Sequence, residues 1–145
     1  QKIIMGNKEL TPVNITLTED QMENIADASD IRVRNNKIKA WKSTEGDWFI
    51  LDQIIGKHEN IDVAVGITKD GKVSGIEVLT YRESYGHQIR NSRWRAQFHG
   101  KDHREFLKLD KQIKNISGAT LSCRHITDGI NRLNHTWNLV LRFHK

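Results

Sequence analysis

Apolar and polar residues alternate through the first half of the chain and switch to a helical period in its last third. Lys37 to Lys42 alternates around Ile38 and Ala40, Asp47 to Ile55 is richer in apolar residues, and Asp62 to Thr68 alternates through Val63, Val65 and Ile67. Val73 to Thr80 follows after Asp70-Gly71, a dipeptide that favours a tight hairpin turn. A shorter extended piece is expected over Val13 to Leu17, and another over Phe106 to Ile113. Between the first two strands, Thr18-Glu19-Asp20-Gln21 has the form of a capping box, and Met22, Ile25 and Ala26 give one apolar face; a helix is predicted from Glu19 to Ala28. Ser92 caps a short helix with Trp94 and Phe98 four apart, closed by Gly100. The strongest pattern is the last: Ile126, Ile130, Leu133, Trp137 and Val140 recur at steps of 4, 3, 4 and 3, an amphipathic stripe predicted to run from Ala119 to Leu141. The resulting expectation is a single α+β domain over residues 1–145, an antiparallel sheet packed by a long C-terminal helix and smaller helices.

With 145 residues, 37% apolar and 28% charged, the chain has the make-up of a globular domain able to bury a core. No apolar run approaches the roughly 18–20 residues of a membrane span. The composition fits either a cytoplasmic chain or an exported domain without its leader or anchor. The formal net charge of +5 invites a nucleic-acid reading, but the 18 acidic residues are spread through the chain and there is no basic block. A mixed-sign surface, or attraction to an acidic partner or an anionic cofactor, explains it as well, and nucleic acid is not expected. Cys123 stands alone, which excludes an internal disulfide; it fits a small buried residue or, at a helix start, a thiol of lowered pKa. His99 and His103 are four apart, with no third metal ligand in view, and no metal is expected.

The chemistry concentrates in Ile116-Ser117-Gly118-Ala119-Thr120-Leu121-Ser122, where the charged stretch meets the last helix. A helix start carries unpaired backbone N–H groups and partial positive charge, so it suits a phosphate. Ser117, Thr120 and Ser122 crowd that turn with hydroxyls, and Gly118 leaves room for a close ligand approach.

Three blocks in order carry a family likeness: Tyr81-x-Glu83-Ser84-x-Gly86, then Trp94-x-x-x-Phe98-x-Gly100-Lys101, then Ser117-Gly118-Ala119-Thr120-Leu121-Ser122. Together with the preceding hairpin they resemble the FMN-binding domain family, over about Val63 to Arg132. Members include flavoprotein subunits of the Rnf complex and of the sodium-pumping NADH:quinone reductase. The resemblance implies FMN as cofactor, joined through its phosphate to Thr120 by a separate flavin transferase. It also implies flavin contacts at Glu83, Ser84 and Gly86; Tyr85 departs from the family's Pro and His87 from its small or aliphatic residue, and one or the other is expected to stack on the ring. Trp94 and Phe98 then form an apolar wall or the core beneath it, and Lys101 stands near phosphate or ring. Lys114 is a departure, since the family has Asp six residues before the threonine; the exchange inverts the charge and favours phosphate binding.

The implied role is that of an electron carrier rather than a stand-alone catalyst, working with redox partner proteins that are membrane-bound or haem-containing. The implied location is periplasmic or extracellular, with a membrane tether outside this sequence. The alternatives are an FMN held non-covalently and a non-redox interaction module using the same pocket.

Overall fold

A computed structural model describes residues 9–55, 60–81, 92–116 and 120–144. Five strands, β1 (Leu10–Thr16), β2 (Lys37–Ser43), β3 (Trp48–Ile55), β4 (Asn60–Ile67) and β5 (Val73–Tyr81), form one sheet in chain order with every neighbour antiparallel. Helix α1 (Glu19–Ser29) lies between β1 and β2. Helix α2 (Ser92–Arg95) continues as a 3₁₀ turn, Ala96–Phe98, and the long α3 (Thr120–Leu139) precedes a last 3₁₀ turn, Leu141–Phe143. The α+β architecture expected from the pattern is the one observed.

Local chemistry accounts for the boundaries. The capping box before α1 is closed in both directions: Thr18 Oγ1 accepts from the Gln21 N–H at 3.1 Å, and the Thr18 N–H donates to Gln21 Oε1 at 2.9 Å. Asp30 ends α1 in the left-handed region at φ 60°, a conformation that short polar side chains tolerate.

One face of the sheet carries Ile38, Ala40, Ile50, Ile61, Val63, Val65 and Ile67, all buried. Against them pack Ile25 of α1, Trp94 and Phe98, and the α3 stripe of Ile126, Ile130, Leu133 and Trp137. Each of these isoleucines removes enough apolar surface from water to be worth about 2–3 kcal/mol. Trp137 lies over Gly71 in the β4–β5 turn, so closely that a side chain at Gly71 would overlap its ring. Farther back along α3, a Cβ on Gly129 would stand 2.7 Å from Ile54 Cδ1. These two seams set the direction of α3. Ile54 pairs with Ile61, and Ile61 with Tyr81. The helix therefore runs from the Tyr81 end of β5 toward the Gly71 end, with Thr120 about 14 Å beyond Gly129.

The outer edge of β5 is covered rather than left open. The Gly100 N–H donates to the Val73 carbonyl at 2.8 Å, the Val73 N–H donates to the Lys101 carbonyl at 2.9 Å, and Arg95 Nη1 donates to the Ile76 carbonyl. On the opposite sheet face a smaller cluster gathers Phe49, Ala64, Leu10, Trp41 and Leu51.

Two elements differ from expectation. The first strand begins at Leu10, three residues before Val13, because Thr11 and Pro12 pair with Lys42 and Trp41 although they break the alternation. Phe106 to Ile113 is not a strand. Its backbone turns through Asp110 at φ 64°, with the Asp110 N–H donating to the Ile113 carbonyl at 2.7 Å and the Ile113 N–H returning to the Lys108 carbonyl at 3.2 Å. Only a single bridge, Leu109 to Ile113, has strand geometry.

Candidate functional site

The start of α3 is assembled by the segment that precedes it. Trp94 donates its indole N–H to the Lys114 carbonyl at 2.6 Å. Gln97 Oε1 accepts from the Lys114 N–H at 2.7 Å, while Gln97 Nε2 donates to the Trp94 carbonyl at 3.1 Å. Both backbone groups of Lys114 are thus held by the α2 turn, and its side chain is left exposed. Ile113 is fully buried and anchors the same segment.

Asn115 reaches across to Thr120. Its Nδ2 donates to Thr120 Oγ1 at 2.8 Å, while its Oδ1 is buried without a hydrogen-bond partner. Thr120 is exposed at the first position of α3. A threonine hydroxyl that accepts from an amide keeps its own hydrogen available to a ligand. The first turn of α3 contains no acid, and the exposed Lys114 stands six residues upstream. The electrostatics of a helix start, with a cation on the segment that enters it, favour an anion.

Deeper in the turn, Ser122 and Cys123 are buried. Burial pushes the Cys123 thiol up, and a hydrogen bond from the Ile116 backbone opposes this only in part. Of the two readings of this cysteine, the small buried residue is the one that holds. Leu121 is 46% exposed and points away from the core. Trp94 and Phe98 are both core residues, packed edge to face with centroids 5.3 Å apart.

Thr120 and the segment held by Trp94 are therefore brought together. Lys101 sits in the segment that covers the Val73 end of β5. Its backbone pairs with Val73 and its ammonium with Glu105 at 3.3 Å. Val73 begins β5, about 26 Å of strand from Tyr81 at the other end. Glu83, Ser84, Tyr85, Gly86 and His87, and Ser117, Gly118 and Ala119, lie outside the described residues.

Two contributors escaped the sequence reading. Asn115 and Gln97 fall in no periodic pattern; the only signal was the general habit of Asn side chains to bond nearby backbone or hydroxyl groups. A third, Asn131 on α3, is buried and clamps Leu107 in both directions. Its Oδ1 accepts from the Leu107 N–H at 3.0 Å and its Nδ2 donates to the Leu107 carbonyl at 2.8 Å. That clamp fixes the 107–116 segment beside the helix whose start it shapes.

Comparison with known proteins adds three findings. Residues 56–134 match a family model described as FMN-binding domain. The chain is 31% identical over 80 residues to a component of the Na(+)-translocating ferredoxin:NAD(+) oxidoreductase complex of Acetobacterium woodii, across 49% of this chain and 39% of that protein. It is 31% identical over 86 residues to a component of the ion-translocating oxidoreductase complex of Shewanella piezotolerans, across 52% of this chain and 41% of that protein. The matches thus span about two fifths of the length of these relatives. The crystal structure of Shewanella oneidensis NqrC superposes with a TM-score of 0.61 over 90% of this chain and 80% of that one, at 16% identity, a likeness of fold.

Proposed function

Starting from the premise that this chain belongs to the FMN-binding domain family, with FMN as its cofactor, we propose that it is an electron-carrying domain whose FMN is joined through its phosphate to Thr120. The observation that carries this reading is the presentation of Thr120: exposed, first in a 20-residue helix, and held by an amide whose other polar atom is buried and unpaired. That orphaned acceptor suits a hydroxyl or N–H donor of the ligand rather than its phosphate. The residues present fit a phosphate. The N–H groups of the α3 first turn and the Lys114 ammonium supply positive charge, and Thr120 supplies the oxygen of the phosphoester. Ser117, Gly118 and Ala119 contribute to phosphate binding in this proposal, and Glu83, Ser84, Tyr85, Gly86 and His87 supply the ring contacts. Trp94 acts from beneath as a positioning residue, through Lys114.

Bound FMN supplies one- and two-electron redox chemistry, while the protein contributes position, electrostatics and shielding. The matching relatives are components of ion-translocating oxidoreductase complexes, which supports redox partner proteins for this chain as well. No described helix is long and apolar enough to cross a membrane. We place the domain in the periplasm or outside the cell, tethered through sequence beyond this stretch and matured by a flavin transferase.

Intact mass after co-expression with a flavin transferase tests the linkage. The expected gain is one FMN minus water, lost completely in Thr120→Val while the protein still folds. Reversible FMN binding with no mass gain supports the non-covalent alternative, which Lys114 in place of the family's Asp favours; Lys114→Asp then restores the adduct. A folded protein that neither binds FMN nor accepts it overturns both readings.

A further inference from the structure

A second concavity lies on the other side of α3. β2 and β3 pair only from Lys39↔Leu51 to Lys42↔Trp48. Beyond that point both strands continue, β2 to Lys37 and β3 to Ile55, held on their far edges by β1 and β4. The two strands part, and a cleft of about 800 Å³ opens between them, with Ile38, Ile54, Val63 and Leu133 among its apolar lining. His125, Gly129, Arg132 and Thr136 of α3 also line it. At 3.6 residues per turn these stand roughly 120–180° around the helix from Thr120. Much of its wall, including Leu17, Arg32, Arg34, Lys37 and Asp52, comes from residues before 56, outside the stretch that matches the family. It is separate from the turn proposed for FMN.

The cleft carries charges of both signs, with cations gathered on one lip. One lip belongs to the chain between α1 and β2 and to β2 itself. From Ile31 to Thr44 the sequence holds five cations, Arg32, Arg34, Lys37, Lys39 and Lys42, and no acid, a local charge equal to the +5 of the whole chain. Arg32, Arg34, Lys37 and Lys39 line the cleft, are exposed, and their side chains make no ion pair with a described residue. Four carboxylates, Asp30, Asp52, Asp62 and Asp128, line the cleft as well. Asp52 is bound by Arg132, Asp62 accepts from Gln53 Nε2 at 3.2 Å, Asp128 is on α3, and Asp30 closes α1.

We infer that this cleft docks an extended acidic segment of a partner protein. An extended chain turns alternate side chains to opposite sides. Apolar residues at every second position meet the lining formed by Ile38, Ile54 and Val63, and carboxylates between them meet Arg32, Arg34, Lys37 and Lys39. Ile38 and Asp52–Ile55 have no ladder partner across the gap, which gives such a segment backbone groups to pair with in the manner of strand addition, while the Lys37 N–H is held by Asn35 Oδ1 at 2.9 Å. Four residues of β3 span about 13 Å, enough for four or five residues of an extended occupant. Charge complementarity on the rim predicts binding that weakens with salt.

The test titrates fluorescein-labelled octapeptides into the FMN-loaded chain and follows anisotropy, with alternating Glu/Val as the probe and alternating Lys/Val as the control. Saturable binding of the acidic peptide alone is expected, weakened about tenfold in Arg32→Glu/Arg34→Glu. Flavin content and thermal unfolding of that variant should match the parent, since both side chains are exposed. Amide shift mapping should place the perturbation at residues 37–39 and 52–54. Equal binding of both peptides, binding unchanged in the variant, perturbation confined to residues 114–123, or binding of phosphatidylserine vesicles without the acidic peptide overturns the inference. So does failure of the acidic peptide to bind at millimolar concentration. Because flavin loading is read separately, failure here leaves the FMN assignment standing.

Discussion

On the side of α3 that faces residues 107–116, two side-chain amides reach across the seam: Asn131 holds both backbone groups of Leu107, and Asn115 holds Thr120. On the side that faces β2 and β3 the strands part and the cations on the rim stand in solvent. One helix thus carries a closed flank and an open one. The closed flank fixes a hydroxyl to within a hydrogen bond, which is what a defined attachment point requires. The open flank leaves charge and backbone available, which is what reversible docking requires. The difference lies less in composition than in whether a side-chain amide is placed to satisfy a passing backbone.

The largest expected effect is on the seam from which both flanks extend. Gly71→Ala places a methyl in the Trp137 ring at φ 86°, where a Cβ is already strained. A loss of about 4 kcal/mol is expected from strain and overpacking together, read as the shift in urea unfolding. If stability is unchanged, Trp137 does not set the position of α3.

Next come the two buried asparagines a turn apart on α3. Asn131→Ala strands the N–H and carbonyl of a Leu107 that is 1% exposed, and should cost about 3 kcal/mol. Asn134 is equally buried, yet neither its Oδ1 nor its Nδ2 has a partner. Asn134→Leu should therefore leave stability unchanged or raise it by about 1 kcal/mol. Chemical denaturation of the pair decides this; losses of equal size would mean that Asn134 is satisfied in solution and that the contrast between them is false.

The smallest effect belongs to the open flank. Burial raises the Asp128 carboxyl above its ordinary range, with His125 and Arg124 opposing. A raised pKa means the folded state holds the proton more tightly than the unfolded chain. The stabilising contribution is present in acid and is lost as pH rises through the folded value. Asp128→Asn should thus raise the melting temperature slightly near neutral pH, with the gain vanishing as pH falls below the ordinary carboxylate range. A gain that persists in acid would assign the effect to packing instead.

The sequence by itself determined the elements whose signal is local. Alternation located four of the strands to within a few residues, Thr18 and Gln21 marked the start of α1, and the Ile126 to Trp137 stripe marked α3, because each depends on residues near one another in the chain. The block ending in Ser117-Gly118-Ala119-Thr120 marked a helix start within one residue of the observed Thr120 by the same logic, since a helix start is a local object. Only the tertiary structure decided the rest. Phe106 to Ile113 alternates enough to read as an extended piece, but Asn131, twenty-four residues away from Leu107, takes up the hydrogen bonds a neighbouring strand would have supplied. Asn115 and Gln97 acquired roles only when the α2 turn was laid against Lys114. The parting of β2 from β3 is likewise absent from the pattern of either strand. Periodicity says which way a side chain faces, whereas the length over which two strands stay paired depends on what α1 and α3 place between them.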